Sequence, residues 1–211
     1  MVPARVLELV AASQSAVPSR LGGGAALSGV HLGHRLSRDI DLFFDDKRLV
    51  RELLVQLGEL AAGVGATFKV VRDGGAFVRG VVELPEQSLE VDLVYEPSQP
   101  LAPRDIVANI VVDSLPDLRA NKLTCLLSRS EPRDLVDVMF LERSGYTPEK
   151  DLELALAKDA GVDPGILAHL LSEFPVTPLP QMLVPLSEAE LVTYRNELSE
   201  RLRRLAVAPG T

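Results

Sequence analysis

The sequence predicts an α+β protein: a mixed sheet with flanking helices over residues 1–112, followed by a helical half over residues 113–211. Three observations carry this reading. Segments 39–44, 66–72, 76–84 and 88–95 read as strands, and apolar and polar residues alternate most clearly in the first. After residue 112 the apolar spacing becomes helical. A proline-rich stretch from Pro97 to Pro103 reads as a loop near the change of pattern.

The elements follow in order. Residues 3–17 place Val6, Leu9, Val10 and Ser13 at helical spacing. The run Leu21-Gly22-Gly23-Gly24-Ala25-Ala26-Leu27 suits a tight turn opening into a short helix. The strand 39–44 precedes a helix over 47–62, with Leu49, Leu53, Leu57 and Leu60 on one face. Asp73-Gly74-Gly75 joins the next two strands as a hairpin. Residues 106–112 read as one last apolar strand. Helices are then predicted over 117–129, 133–143, 148–160 and 164–173, with stops near Pro132, Gly145 and Gly161. Prolines between 175 and 185 mark a linker. Ser187 with Glu190 forms a capping box for a final helix whose apolar face is Leu191, Tyr194, Leu198, Leu202 and Leu205.

Composition narrows the function classes. The formal net charge of −8 excludes a generic nucleic-acid coater, because such binding neutralises phosphates with Lys and Arg. Any RNA contact must be local, and Arg35, Arg38, Arg129, Arg133, Arg201, Arg203 and Arg204 are its candidates. The single cysteine, Cys125, has no internal disulfide partner and is expected in the core. No stretch approaches the roughly 18 apolar residues of a membrane span, and the N-terminal segment lacks a signal-peptide layout. A cytoplasmic protein is expected.

The chemistry gathers around carboxylates. In a strand, residues i and i+2 share a face, so Asp39 and Asp41 present two carboxylates together. Such a pair describes a solvated strand end, or a site for Mg²⁺, which is held by one or two carboxylates plus waters and phosphates. Asp92 lies within Leu89-Glu90-Val91-Asp92-Leu93 and is the candidate third carboxylate, with Glu90 its rival. The glycine run upstream offers backbone N–H groups to phosphate. Together these make a polymerase-β-type arrangement, in which two metals serve an in-line displacement. Further on, Arg119, Lys122, Arg129 and Arg133 are spaced as one basic face, suited to a polyphosphate tail or simply to solvent. Asp134 and Asp137 stand at i, i+3 near the start of the next helix. His31 and His34 have no evident third ligand and read as surface or turn residues.

Two blocks are specific. The first is Leu21-Gly22-Gly23-Gly24-Ala25-Ala26-Leu27 with His34-Arg35, Ser37 and Asp39-Ile40-Asp41-Leu42. The second is Lys122-Leu123, Arg129 and Arg133-Asp134-Leu135-Val136-Asp137. They resemble the AbiEii/AbiGii toxin family of nucleotidyltransferases over about residues 21–141. The resemblance implies an N-terminal nucleotidyltransferase core and a helical domain contributing to its cleft. It implies Mg²⁺ or Mn²⁺ on Asp39, Asp41 and Asp92, and nucleotide contacts from Gly22, Gly23, Gly24, Ser28 and Arg35. Lys122 matches the lysine for the nucleotide phosphates, and Asp134 and Asp137 match the final acidic motif. Where the family carries Thr or Ser after the paired glycines, this chain has Gly24 or Ala25, so backbone N–H groups or Ser28 take that part. The implied reaction moves an NMP from an NTP to RNA, with the tRNA 3′ end as one target, and the implied partner is a cognate antitoxin. A small acceptor such as an aminoglycoside, or a degenerate nucleotide-binding module, are the alternatives.

Overall fold

The computed structural model describes residues 4–85, 87–97 and 99–207. Pro3 and Ser98, which fall in the predicted first helix and the proline loop, lie outside them. The chain divides into two units, Met1–Ser114 and Leu115–Thr211.

The first unit is a seven-stranded mixed sheet. Its strands are β1 (Arg20–Leu21), β2 (Asp39–Phe44), β3 (Thr67–Asp73), β4 (Phe77–Glu83), β5 (Ser88–Tyr95), β6 (Asp105–Val107) and β7 (Ile110–Val112). The order across the sheet is β3-β4-β5-β2-β1-β7-β6. β2 runs parallel to β5 and β1 parallel to β7, while the other neighbours are antiparallel.

Strand alternation sorts the residues by face. Ile40, Leu42 and Phe44 of β2, Leu89, Val91 and Leu93 of β5, and Val78 and Val82 of β4 are buried on one side. Helix α3 (Lys47–Gly63) packs on strands β2 to β5, and its N-cap Asp46 accepts the Arg48 N–H at 2.8 Å. Its buried residues are Val50, Leu53, Leu57 and Ala61, so the face is turned from the predicted Leu49–Leu60 stripe. Leu49 and Leu60 lie at the border of that face and are half-buried. Helix α1 (Ala4–Ala16) buries Val6, Leu9, Val10 and Ser13, as the spacing predicts. Its Gln14 amide both donates to Val111 O (2.9 Å) and accepts from Val111 N (2.7 Å), satisfying a strand's backbone from a helix.

Two differences from the sequence reading are local. The glycine run does lead into a helix, α2 (Gly23–Ala26), but β1 precedes it and a wider π turn, Leu27–Leu32, continues it. Residues 105–112 form a hairpin rather than one strand. Ala108 and Asn109 link β6 to β7 with φ of 50° and 64°. Positive φ at both central residues is the type I′ geometry that matches strand twist.

The second unit contains α4 (Leu115–Ser128), α5 (Pro132–Arg143), α6 (Pro148–Lys158), α7 (Pro164–Ser172) and α8 (Glu188–Val207). Proline opens three of these helices, where its missing N–H costs nothing. Residues Asp134 to Leu141 of α5 are all buried, so this helix is enclosed on every side. The capping box forms as expected: Glu190 N donates to Ser187 Oγ (3.2 Å) and Ser187 N to Glu190 Oε2 (2.8 Å). On α8, Leu205 is 43% exposed and lies past the end of the buried face. Among the described residues no helix is long and apolar enough to cross a membrane.

Ala108 is exposed and left-handed, a conformation that costs an alanine about 1–2 kcal/mol. Ala108→Gly removes that clash but adds about 0.5–1 kcal/mol of chain entropy to be lost on folding. A net gain of up to about 1.5 kcal/mol is expected, seen as a higher urea midpoint at unchanged slope. A lowered midpoint would contradict the turn assignment.

Candidate functional site

The parallel register of β2 against β5 sets Asp39 opposite Glu90 and Asp41 opposite Asp92. Four carboxylates therefore share the sheet face turned away from α3. β4 contributes a residue that the sequence reading missed. Arg79 pairs with Asp92 in the antiparallel register of β4 and β5. Its guanidinium forks onto Asp92, with Nε to Oδ1 at 2.8 Å and Nη2 to Oδ2 at 2.7 Å. Nη1 also lies 3.3 Å from Glu90. Asp92 is buried, as its apolar neighbours suggested, and Glu90 is exposed. The hydrogen bond to Asp92 raises the Arg79 pKa despite partial burial, and the charges of Glu90 and Asp39 add to it. A polar residue at the right parity of a strand was the only signal available for Arg79. Its partner became visible with the hairpin register.

The glycine turn is shaped by what approaches it. Gly22 N donates to Asp41 O at 3.0 Å, fixing the turn to β2. At Gly23, with φ of 60°, a Cβ would lie 1.9 Å from Asp41 Oδ2. Any side chain there would displace the Asp41 carboxylate. At Gly24 a Cβ would come within 2.8 Å of Arg35 Nη2 and 3.0 Å of Ser37 Oγ. The guanidinium of Arg35 and the hydroxyl of Ser37 already fill that space.

Ser37 is the second residue that the sequence reading left unassigned. Its hydroxyl donates to Asp39 Oδ1 at 2.8 Å. Ser28, expected to face phosphate, is buried in the helix and donates to Gly24 O at 2.6 Å. Its hydroxyl serves the helix's own carbonyl. Arg35 is buried and donates to Leu36 O at 3.0 Å, which makes it a support of the turn rather than a surface contact. His34, read as a surface or turn residue, follows the π turn and is completely buried.

In the second unit, the predicted basic face is taken up by ion pairs. Lys122 Nζ lies 2.9 Å from Asp134 Oδ1 and 2.7 Å from Asp137 Oδ2, and both carboxylates are fully buried. Arg129 forks onto the same Asp134, with Nε to Oδ2 at 2.8 Å and Nη2 to Oδ1 at 3.0 Å. Burial alone would raise the Asp134 pKa, but Lys122 and Arg129 outweigh it and hold the carboxyl below its usual range. Arg119 is bound to Asp151 and stacks on Tyr146, with 4.3 Å to the ring centroid. Arg133 pairs with Glu131 at 2.5 Å. Arg201, a candidate RNA contact, is held by Glu142 at 2.5 Å and Glu149 at 2.8 Å. Arg38, Arg203 and Arg204 remain exposed. Cys125 is half-buried beside this cluster, and burial pushes its thiol pKa up.

The donor set on the first unit's sheet suits a hard divalent ion. Asp39 and Asp41 are two oxygen donors on one face, which Mg²⁺ accepts when water and phosphate complete its shell. Among the described residues no group of three or more His, Cys, Asp or Glu is arranged around a metal position. Both Asp92 oxygens point at Arg79 instead.

The Asp134 pairs carry a pH dependence. A depressed native pKa stabilises the fold above the unfolded value of about 4, and that contribution disappears as pH falls through the native value. Wild type should therefore lose stability below about pH 4. Asp134→Asn should be about 1–3 kcal/mol less stable near neutrality, because Lys122 keeps only Asp137 and Arg129 loses its charged partner. Its deficit should shrink on acidification. Urea unfolding followed from pH 7 to pH 3 measures both, and parallel curves would contradict the pairing.

Known proteins are similar to this chain in sequence pattern and in fold. The family model described as the nucleotidyl transferase AbiEii toxin, type IV toxin–antitoxin system, matches residues 5–208. No curated protein sequence matches significantly. Among solved structures, MenT4, the nucleotidyltransferase toxin Rv2826c of Mycobacterium tuberculosis H37Rv, superposes with a TM-score of 0.65 at 16% identity, covering 93% of this chain and 81% of that one. JHP933 from Helicobacter pylori does so with a TM-score of 0.61 at 18% identity, covering 96% and 90%. These likenesses agree with the mixed sheet and helices predicted from the sequence. The match across nearly the whole chain, with both motif blocks inside it, decides the matter: this chain belongs to the AbiEii family of nucleotidyltransferase toxins.

Proposed function

We propose that this toxin transfers a nucleoside monophosphate from an NTP to an RNA hydroxyl, with the 3′ end of tRNA as the preferred acceptor, in the cytoplasm and under control of an antitoxin. The observation that carries the reading is the Asp39–Asp41 pair, facing away from the core beside a glycine turn that admits no side chain. In the reaction the acceptor oxygen bonds to the α-phosphorus, the bond to the bridging oxygen breaks, and pyrophosphate departs. The hydroxyl proton leaves to a carboxylate of the acidic face.

Asp39 and Asp41 would hold Mg²⁺, or Mn²⁺ in its place, which supplies charge to the phosphate oxygens when bound. Ser37 orients Asp39 through its hydrogen bond, and Gly23 leaves room for Asp41. The backbone of Gly22, Gly23 and Gly24 is the proposed phosphate cradle. Lys122 takes its phosphate role from the family block, and in this role the ion pairs to Asp134 and Asp137 orient its ammonium. Asp137 and Asp134 thus act on Lys122 rather than on substrate. The net charge of −8 and the pairing of Arg35, Arg119 and Arg201 with protein oxygens favour a confined RNA contact.

Incubation with each labelled NTP, Mg²⁺ and total RNA should put label from one nucleotide into small RNA. Asp41→Asn should abolish incorporation while circular dichroism stays native. With an aminoglycoside added to the same mixture, label entering only that molecule would favour the small-acceptor alternative. Incorporation by folded Asp41→Asn at wild-type rate would exclude Asp41 from the site.

A further inference from the structure

The sheet face that carries Asp39 and Asp41 was expected to hold two divalent ions on three aspartates. The structure assigns it a different cation count. We infer that Arg79 stands where a second metal ion would act, so that the site takes one divalent ion, on Asp39 and Asp41, with Asp92 as the counter-ion of Arg79. This inference rests on the metal reading above and concerns how many ions that reading requires.

Three observations support it. The first is geometric. A guanidinium fork matches a carboxylate in its plane, and Arg79 uses Nε and Nη2 to engage both oxygens of Asp92 at 2.8 and 2.7 Å. A metal ligand needs one of those oxygens. The second is access. The Arg79 side chain is 41% exposed and the Asp92 side chain 9%, so an ion arriving from solvent meets the guanidinium before the carboxylate. The third is support from neighbours. Nη1 lies 3.3 Å from Glu90, and the guanidinium carbon is 5.6 Å from the centroid of the Phe77 ring, two residues earlier on the same strand. The side chain is thus held on three sides over Asp92.

The chemistry of arginine makes the substitution workable. Its guanidinium stays protonated at any physiological pH, is less strongly hydrated than an ammonium, and carries one fixed positive charge. Placed among Asp39, Asp41, Glu90 and Asp92, it offsets part of the repulsion in the absence of any metal. It would also keep a cation beside the phosphates while a single exchangeable ion comes and goes. Leaving Asp92 would require the fold to bear a buried, unpaired carboxylate, which is costly. The fork is therefore expected to persist when a metal binds.

Titration with Mn²⁺ alone, followed by electron paramagnetic resonance, counts the ions directly. Wild type should bind one Mn²⁺ per chain, and Asp41→Asn should lose it. Asp92→Asn, which keeps an oxygen for Arg79, should still bind one, with affinity lowered only by the lost negative charge. Arg79→Met should bind two, and the double variant Arg79→Met/Asp92→Asn should return to one. Two ions in wild type, or loss of an ion in Asp92→Asn, would overturn the inference and restore Asp92 as a ligand. No Mn²⁺ bound by folded wild type would overturn the metal reading itself. The wild-type and Asp92→Asn counts decide the question even if Arg79→Met fails to fold, and Arg79→Lys, which loses the fork but keeps the charge, provides the second test of Arg79.

Discussion

The structure of the first unit depends on one register: β2 lies parallel to β5 with Asp41 beside Asp92 and Asp39 beside Glu90. That pairing brings four like charges to adjacent positions on a pleated surface, where opposed like charges destabilise a sheet. The register is nonetheless required, because a slip of one residue would turn Ile40, Leu42 and Phe44 out of the core. The apolar face sets the alignment and the acidic face is its consequence. Arg79, Ser37 and the glycine turn then accommodate that consequence. Arg79 forks onto Asp92, Ser37 donates to Asp39, and Gly23 makes room for Asp41.

The helical unit meets a related problem differently. Lys122, Asp134 and Asp137 are buried, a placement that is expensive unless each charge is paired and hydrogen-bonded. Lys122 sits between the two carboxylates and Arg129 closes the outer side of Asp134. Such a cluster contributes little net stability, because desolvation cancels much of the attraction. Its value lies in orientation: an ammonium held by two fixed carboxylates has few ways to point.

The glycine turn is crowded by the side chains around it. At Gly24 the space that a Cβ would enter is taken by Arg35 and Ser37. The turn keeps its hydrogen bond from Gly22 to Asp41, and Ser37 supplies a hydroxyl on the Asp39 side. Ser28, the substitute suggested by its nearness in sequence, faces its own helix, since a Ser hydroxyl in a helix readily bonds the carbonyl four residues back.

The sequence by itself determined the elements whose signals are local. Alternation marked the strands 39–44 and 88–95, the capping box marked the start of α8, and Val6, Leu9, Val10 and Ser13 marked the buried face of α1. The two motif blocks were enough to identify the family and to put Asp39 and Asp41 on one face. Only the tertiary structure decided which charges meet. Arg79 reaches Asp92 across a hairpin, Lys122 of α4 reaches Asp134 and Asp137 of α5, and Arg201 reaches Glu142 from 59 residues away. The split of residues 105–112 into a hairpin likewise rests on left-handed φ at Ala108, a residue that carries no turn signal. Local patterns report backbone period and burial. The partner of a charge depends on register and packing between elements, and a single sequence does not encode these at any fixed spacing.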